Sequence, residues 1–255
     1  MLKNKTVFMF DVDGTLSPPR QQMTSQFSDF FFNWMTDKKV YLVSGSDISK
    51  LRQQVPDNIL NKTSGIFASS GNSFYINGNE LQYSKSFSPT RELLDYLNDH
   101  LNHKSKYKLR FGSHIESRPG MINFSVVGRN ANKEQRSDYH LWDMQNKERG
   151  QIAKHIRDNY PDIEAVLGGE ISIDIYPKGN DKSQVLKHID ADSYVFFGDK
   201  MKPGGNDHSL AKELEQKTNF SLYGVTDFEN TWKILKSIYS EVDCNNKGCE
   251  SCECR

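Results

Sequence analysis

Residues 1–243 contain no cysteine, because all four cysteines, Cys244, Cys249, Cys252 and Cys254, fall within the last dozen positions. A disulfide framework is therefore not what holds the body of the fold. Neither sign of charge is in excess: 33 lysines and arginines match 33 aspartates and glutamates. A balanced chain has no general field drawing it to nucleic acid or to a membrane surface, so anion binding must come from local placement of cations. Long apolar runs are missing too, and no N-terminal stretch has signal-peptide form. These absences predict a soluble, cytoplasmic protein without nucleic-acid or membrane partners. Its 255 residues suffice for one large domain or a domain with a sizeable insertion.

What is present begins at Val7-Phe8-Met9-Phe10-Asp11-Val12-Asp13-Gly14-Thr15-Leu16, an apolar run that breaks into two carboxylates one residue apart. At the frayed end of a strand both can turn toward one mouth, the usual site position in an open α/β sheet. One carboxylate can then attack phosphorus or hold a divalent cation while the other carries a proton. A calcium loop is rejected by spacing. Counting from Asp11 puts Leu16 where the turn glycine belongs and Gln22 where the bidentate glutamate belongs; aligning Gly14 instead places Met9 first and Arg20 last.

The pattern repeats along the chain. Thr6 to Phe10 and Lys39 to Val43 read as buried strands, and Ser25 to Met35 as a helix with an aromatic stripe. Ser44-Gly45-Ser46-Asp47 leads into a helix over Ile48 to Val55, which offers either a phosphate-binding helix start or a plain N-cap. Gly65 to Asn72 is a third strand with a small polar end, and Tyr75 to Leu81 a hairpin on Asn77-Gly78. From about Ser84 the character changes to helices, over Arg91 to Leu101 and Lys133 to Tyr160, alternating with strands of period two. Met121 to Val126 and Ile171 to Tyr176 would project Asn123, Ser125, Ser172 and Asp174 from exposed faces. Arg110, Arg118, Arg129 and Arg136 collect there, and Arg129 and Arg136 would share a face if the residues between them are helical.

After Asp181-Lys182 the α/β grammar returns. A helix over Ser183 to Ile189 precedes the strand Ser193 to Phe197, which ends in Gly198-Asp199-Lys200 with Pro203-Gly204-Gly205-Asn206-Asp207 behind it. If this strand lies parallel beside the first, Asp199 and Asp207 join Asp11 and Asp13 in an oxygen-lined pocket that suits Mg2+. Phe220 to Gly224 and Phe228 to Ser240 complete the set. The expected organisation is a core from 1–83 and 181–243, an inserted domain over 84–180, and a cysteine-rich tail over 244–255 that either holds a thiophilic metal or is a flexible appendage.

Asp11-Val12-Asp13-Gly14-Thr15-Leu16, Phe196-Phe197-Gly198-Asp199-Lys200, Pro203 to Asp207, Gly168 to Asp174, Arg118 to Asn123, and Gly128-Arg129 with Arg136 resemble the haloacid dehalogenase superfamily, and within it the eukaryotic-type α-phosphomannomutases. The resemblance runs from about Thr6 to Tyr239. It implies a Rossmann-like parallel-sheet core with an inserted α+β cap of antiparallel sheet plus helices, and a homodimer formed through the caps. By position it makes Asp11 the nucleophile and Asp13 the acid/base. Asp11, the Asp13 backbone carbonyl and Asp199 become Mg2+ ligands with Asp207 close behind, and Lys182 the offsetting cation. Ser44 or Ser46 would bind the transferred phosphoryl group, and both remain open. Arg20, Arg118, Arg129 and Arg136 match the phosphate clamp, and Ser172 and Asp174 the sugar contacts.

The implied activity interconverts mannose 6-phosphate and mannose 1-phosphate through an aspartyl phosphate, with a hexose 1,6-bisphosphate as activator, and supplies GDP-mannose synthesis. Ser117, Pro119, Arg110 and Ser44 depart from the family pattern. The first two motivate an alternative, a Mg-dependent sugar-phosphate phosphatase. The cysteine tail motivates another, a non-catalytic sugar-phosphate sensor or a tethered interaction protein, against which the intact Asp11, Asp13, Lys182 and Asp199 argue.

Overall fold

The computed structural model describes residues 5–246, with side chains as far as Ile238. The expectations for the cysteine tail lie outside the described side chains.

Five short parallel strands form the centre of the larger sheet: β1 (Thr6–Phe10), β2 (Lys39–Val43), β3 (Gly65–Ala68), β10 (Ser193–Gly198) and β11 (Phe220–Gly224). The hairpin β4 (Ser73–Ile76) and β5 (Glu80–Ser84) extends it, giving the order β11-β10-β1-β2-β3-β4-β5. Period two sorts β1 onto both faces. Phe8 and Phe10 pack with one cluster, whereas Val7 and Met9 pack with the other, beside Phe67, Val185 and Phe196. A strand buried on both sides has no polar face to show, which is why it reads as a continuous apolar run.

Helix α1 (Ser25–Trp34) starts where Thr24 caps it, its Oγ1 accepting from Phe27 N. Phe27, Phe31 and Trp34 fall on one side of the helix and are buried against the sheet; Phe10 meets Phe31 edge-on at 5.1 Å and stacks on Phe197 at 4.8 Å. Helices α2 (Ile48–Gln54), α3 (Asp57–Lys62), α7 (His208–Leu214) and α8 (Phe228–Asn246) complete this body.

A second, four-stranded antiparallel sheet has the order β6-β7-β9-β8, from β6 (Ile115–Arg118), β7 (Met121–Phe124), β8 (Ile163–Gly168) and β9 (Ser172–Pro177). It carries its own core, in which Leu97, Phe124, Tyr139, Ile156 and Ile173 are buried among α4 (Arg91–Asp99), α5 (Lys133–Asn146) and α6 (Glu148–Asn159). The expected α/β architecture with a separate antiparallel sheet is what the chain adopts.

Local differences have local causes. The helical stretch expected over Lys133 to Tyr160 is two helices, because Lys147 sits in the left-handed region at φ 57° and turns the chain between them. Residues 182–187 form a 3₁₀ turn rather than an α-helix, opened by Asp181, whose carboxylate accepts from Ser183 N. Arg129 precedes α5 instead of lying in it, so the shared helix face expected for Arg129 and Arg136 does not exist. The two are joined another way, by Arg136 Nη2 donating to the Arg129 carbonyl at 2.7 Å.

Candidate active site

The ends of β1 and β10 lie side by side because the strands pair in parallel register, Phe10 opposite Phe197. Asp11 N continues that ladder by donating to the Phe197 carbonyl. Asp11, Asp199 and Asp207 then bring one carboxylate oxygen each within 4.8 Å of one another. Two glycines make the approach possible. Gly14 has φ +80°, and a Cβ there would stand 2.7 Å from Asp199 Oδ2; a Cβ on Gly198 would stand 2.7 Å from Asp207 Oδ2.

Lys182 closes the cluster. Its Nζ, buried, donates to Asp11 Oδ1 at 2.5 Å and to Asp207 Oδ1 at 2.6 Å, while Asp207 Oδ2 accepts from Lys200 N. Burial opposes the Lys182 charge, but Asp11 and Asp207 outweigh it and hold the ammonium above the ordinary lysine range. Burial dominates at Asp11 and pushes its carboxyl well above the usual range despite Lys182, with Asp207 and Asp199 adding repulsion. Asp199 is raised for the same first reason, and its Oδ1 is buried with no hydrogen-bond partner. An oxygen-only cluster of crowded carboxylates with one orphaned ligand atom fits a hard divalent cation.

Asp13 points elsewhere. Its Oδ1 accepts from Arg20 N and Gln54 Nε2, each at 2.8 Å, and its Oδ2 from Ser46 Oγ at 3.2 Å. The side chain thus stands apart from the carboxylate trio. Ser46 and Ser44 are also separated: Ser46 lines the adjoining cavity, whereas Ser44 is fully buried and its Oγ accepts from Ser46 N at 3.1 Å. The start of α2 is occupied by Asp47, whose carboxylate accepts from Lys50 N. Asp47 is thus the N-cap of α2, with Ser46 beside it on the cavity wall.

A cavity of about 610 Å³ opens above these groups, between the two sheets. Asp11, Asp13, Arg20 and Ser46 line one side; Arg118, Arg129, Arg136, Ser172 and Asp174 line the other. Ser172, Asp174 and Asn123 are each at most 5% exposed, not on open strand faces as the alternation predicted. Their sheet turns its polar side onto the larger body, so that the polar face becomes a cleft wall. Ser125 is buried behind it, accepting from Gly128 N. Asn123 Nδ2 donates to Asp174 Oδ1 at 2.5 Å, and Arg118 Nη1 stands 4.0 Å from the same oxygen.

Arg20, Arg129 and Arg136 crowd one another at the cavity wall. Arg20 is depressed to about 10, first by loss of solvent around it and then by the charges of Arg129 and Arg136. Arg129 Nη1 is buried without a partner. Such crowding stands ready for a multiply charged anion. Arg110, by contrast, spends its guanidinium on the carbonyls of Leu101, Tyr107 and Leu109 and does not line the cavity.

Sequence reasoning missed Glu116, Lys50, Gln54 and Arg149. Glu116 accepts from Arg118 Nε at 3.0 Å, Arg129 Nε at 2.7 Å and Lys50 Nζ at 2.6 Å. Burial opposes its ionisation, yet the hydrogen bonds from Arg118 and Lys50 and the nearby arginine charges hold it well below the usual carboxylate range. Arg149 ties the carbonyls of Gly168, Gly169 and Ser172, fixing the turn that presents Ser172. A faint signal existed for two of them. Asp47, Lys50 and Gln54 recur at helical spacing, so the end of β2 and one face of α2 belong together.

A family model for eukaryotic phosphomannomutase matches residues 27–241. The chain is 32% identical over 234 residues to "Phosphomannomutase 1" of Dictyostelium discoideum, covering 88% of this chain and 94% of that protein. It is 36% identical over 217 residues to the phosphomannomutase of Encephalitozoon cuniculi (81% and 84%), and 32% identical over 249 residues to that of Saccharomyces cerevisiae (93% and 96%). In fold it is similar to the C-terminal domain of C. albicans trehalose-6-phosphate phosphatase, with TM-score 0.63, 16% identity, and coverage of 93% of this chain and 92% of the other. The chain belongs to the eukaryotic phosphomannomutase family.

Proposed function

We propose that the protein interconverts mannose 6-phosphate and mannose 1-phosphate in the cytoplasm, through a phosphoryl group carried on Asp11, and so supplies mannose 1-phosphate for GDP-mannose synthesis. The observation that carries this reading is the single cavity in which Asp11, Asp13 and Ser46 face Arg118, Arg129, Arg136, Ser172 and Asp174. A hydrolase needs the first group; a mutase also needs a second phosphate-holding surface, on which a bisphosphate can be gripped by either end.

In this reading residues 84–180 are a cap on a core formed by 1–83 and 181–243. A hexose 1,6-bisphosphate delivers a phosphoryl group to Asp11 Oδ, and the sugar oxygen that leaves takes a proton from Asp13. Asp13 then takes the proton of the other hydroxyl as that oxygen attacks phosphorus and the Asp11 Oδ–P bond breaks. Three donors aimed at the Asp13 carboxylate, from Arg20 N, Gln54 and Ser46, keep it aimed across the cavity. Lys182 offsets the charge on the Asp11 side. Asp11, Asp199, Asp207 and the Asp13 carbonyl would hold Mg2+, which when bound neutralises charge on the transferring phosphoryl oxygens. Ser172 and Asp174 orient the sugar, and the exposed Leu141 and Met144 on α5 offer an apolar face for a homodimer through the caps.

The test is product analysis by phosphorus NMR with mannose 1-phosphate, Mg2+ and catalytic hexose 1,6-bisphosphate. Mannose 6-phosphate is expected; inorganic phosphate as the sole product would sink the mutase reading in favour of a phosphatase. The serines divide as well. Ser46→Ala is expected to lower kcat/KM by roughly 10²-fold, the size of one lost transition-state donor. Ser44→Ala should instead cost about 1 kcal/mol of stability in urea unfolding, from one lost hydrogen bond in the turn, with kcat/KM within a few-fold of wild type.

A further inference from the structure

Two contacts join the core to the cap at the cavity itself. Lys50 Nζ, on α2, donates to Glu116 Oε1 on β6 at 2.6 Å, and Arg118 Nη1 donates to the Gly45 carbonyl at 3.2 Å. The covalent connections pass elsewhere, through a knot in which Lys85 Nζ donates to Asn180 Oδ1 and Gln184 Oε1, and none of those residues lines the cavity. Lys50 lies in the first turn of α2, where the positive end of the helix disfavours a cation. Asp47, the N-cap three residues back, offsets part of that cost with Oδ2 at 3.1 Å, and Glu116 across the cleft is the second partner.

We propose that the Lys50–Glu116 pair is a latch that holds the cap closed over the phosphoenzyme, and thereby sets how often the phosphoryl group passes to a sugar hydroxyl rather than to water. The inference rests on the Asp11 phosphoenzyme proposed above. In transfer, a sugar oxygen bonds to phosphorus, its proton goes to Asp13, and the Asp11 Oδ–P bond breaks to restore the carboxylate. In hydrolysis the same bonds change, but a water oxygen attacks and inorganic phosphate leaves. Only water needs no binding surface, so only an open or loosely closed cleft favours it.

The pair is partly exposed, its side chains at 30% and 27%, so solvent weakens it and it can open without a large cost. Glu116 also stays anchored when Lys50 lets go, because Arg118 and Arg129 hold it from the cap side. The acidic half of the latch is therefore fixed and the lysine is the moving half. Lys50 is a positioning residue in this role, acting through the cap.

The experiment compares full-length wild type, Lys50→Met and Lys50→Arg on mannose 1-phosphate with Mg2+ and hexose 1,6-bisphosphate, reading the ratio of inorganic phosphate to isomer. Lys50→Met is expected to raise that ratio roughly fivefold and Lys50→Arg to restore it to within about twofold of wild type. About 0.5 M KCl should raise the ratio in wild type and leave Lys50→Met unchanged, since salt screens a partly exposed pair. An unchanged ratio in Lys50→Met, with or without a higher KM, would overturn the latch and leave Lys50 as a substrate contact at most. Should that variant fold poorly, a salt-insensitive ratio in wild type overturns the proposal by itself. A wild type that makes no isomer at all overturns the mutase reading and the latch with it, an outcome distinct from an unchanged ratio.

Discussion

Asp11→Asn is expected to abolish isomerisation, lowering kcat by at least on the order of 10⁴-fold, as loss of the proposed nucleophile would. At the same time the metal-free protein should melt no lower than wild type. The stability half has its own cause. Asp11 is buried beside Asp207 and Asp199, and burial pushes its carboxyl well above the usual range. A carboxyl raised in the folded state lowers stability once pH exceeds its unfolded value, about 3.9. Replacing it with a neutral amide of the same shape removes that penalty while Lys182 keeps Asp207 as a partner. Thermal unfolding in EDTA beside a coupled isomerase assay measures both. Retained activity would remove Asp11 from the nucleophile role, and a large drop in melting temperature would mean that the charge supports the fold.

Lys182→Met should have the opposite signature, losing activity and stability together. Its ammonium is the only cation within hydrogen-bond reach of both Asp11 and Asp207 among the described residues. Removing one partner from a buried ionic cluster costs about 3–5 kcal/mol. At roughly 2–4 °C per kcal/mol for a chain of this size, the melting temperature should fall by about 6–20 °C. The loss depends on pH with a definite sign. Burial without Lys182 pushes Asp11 higher still, so the deficit is greatest at neutral pH and narrows as pH falls through the raised Asp11 value and the carboxyl takes a proton. In wild type the Lys182 ammonium is held above its ordinary range. Its contribution is therefore complete below about pH 10.4 and lost only above it. Urea unfolding of both proteins between acid and neutral pH reads the difference; a deficit that does not change with pH would contradict the pairing seen here.

Much of this site could be read along the chain because its parts are short and contiguous. The apolar run before Asp11 and the second one before Asp199 each identify a buried strand and its polar end, and parallel pairing does the rest. The aromatic stripe of α1 was legible for a similar reason, as a fixed spacing of large side chains. The period-two stretches at Met121 and Ile171 marked strands correctly but misplaced their polar faces. Alternation reports that two faces differ, not whether the polar one meets water or another part of the protein. Asn123, Ser172 and Asp174 are buried because that face is turned onto the larger body.

By itself the sequence determined the parallel strands of the larger sheet, their acidic ends and the two alternating strands at Met121 and Ile171, since these follow from side-chain periodicity and from motifs a few residues long; β6 and β8, at Ile115 and Ile163, it did not mark. Only the tertiary structure decided which groups touch. Gln54 meets Asp13 across 41 positions of chain and Lys50 meets Glu116 across 66. Contacts at that range leave no local period, because their geometry is set by how the two sheets pack and not by the residues on either side of them.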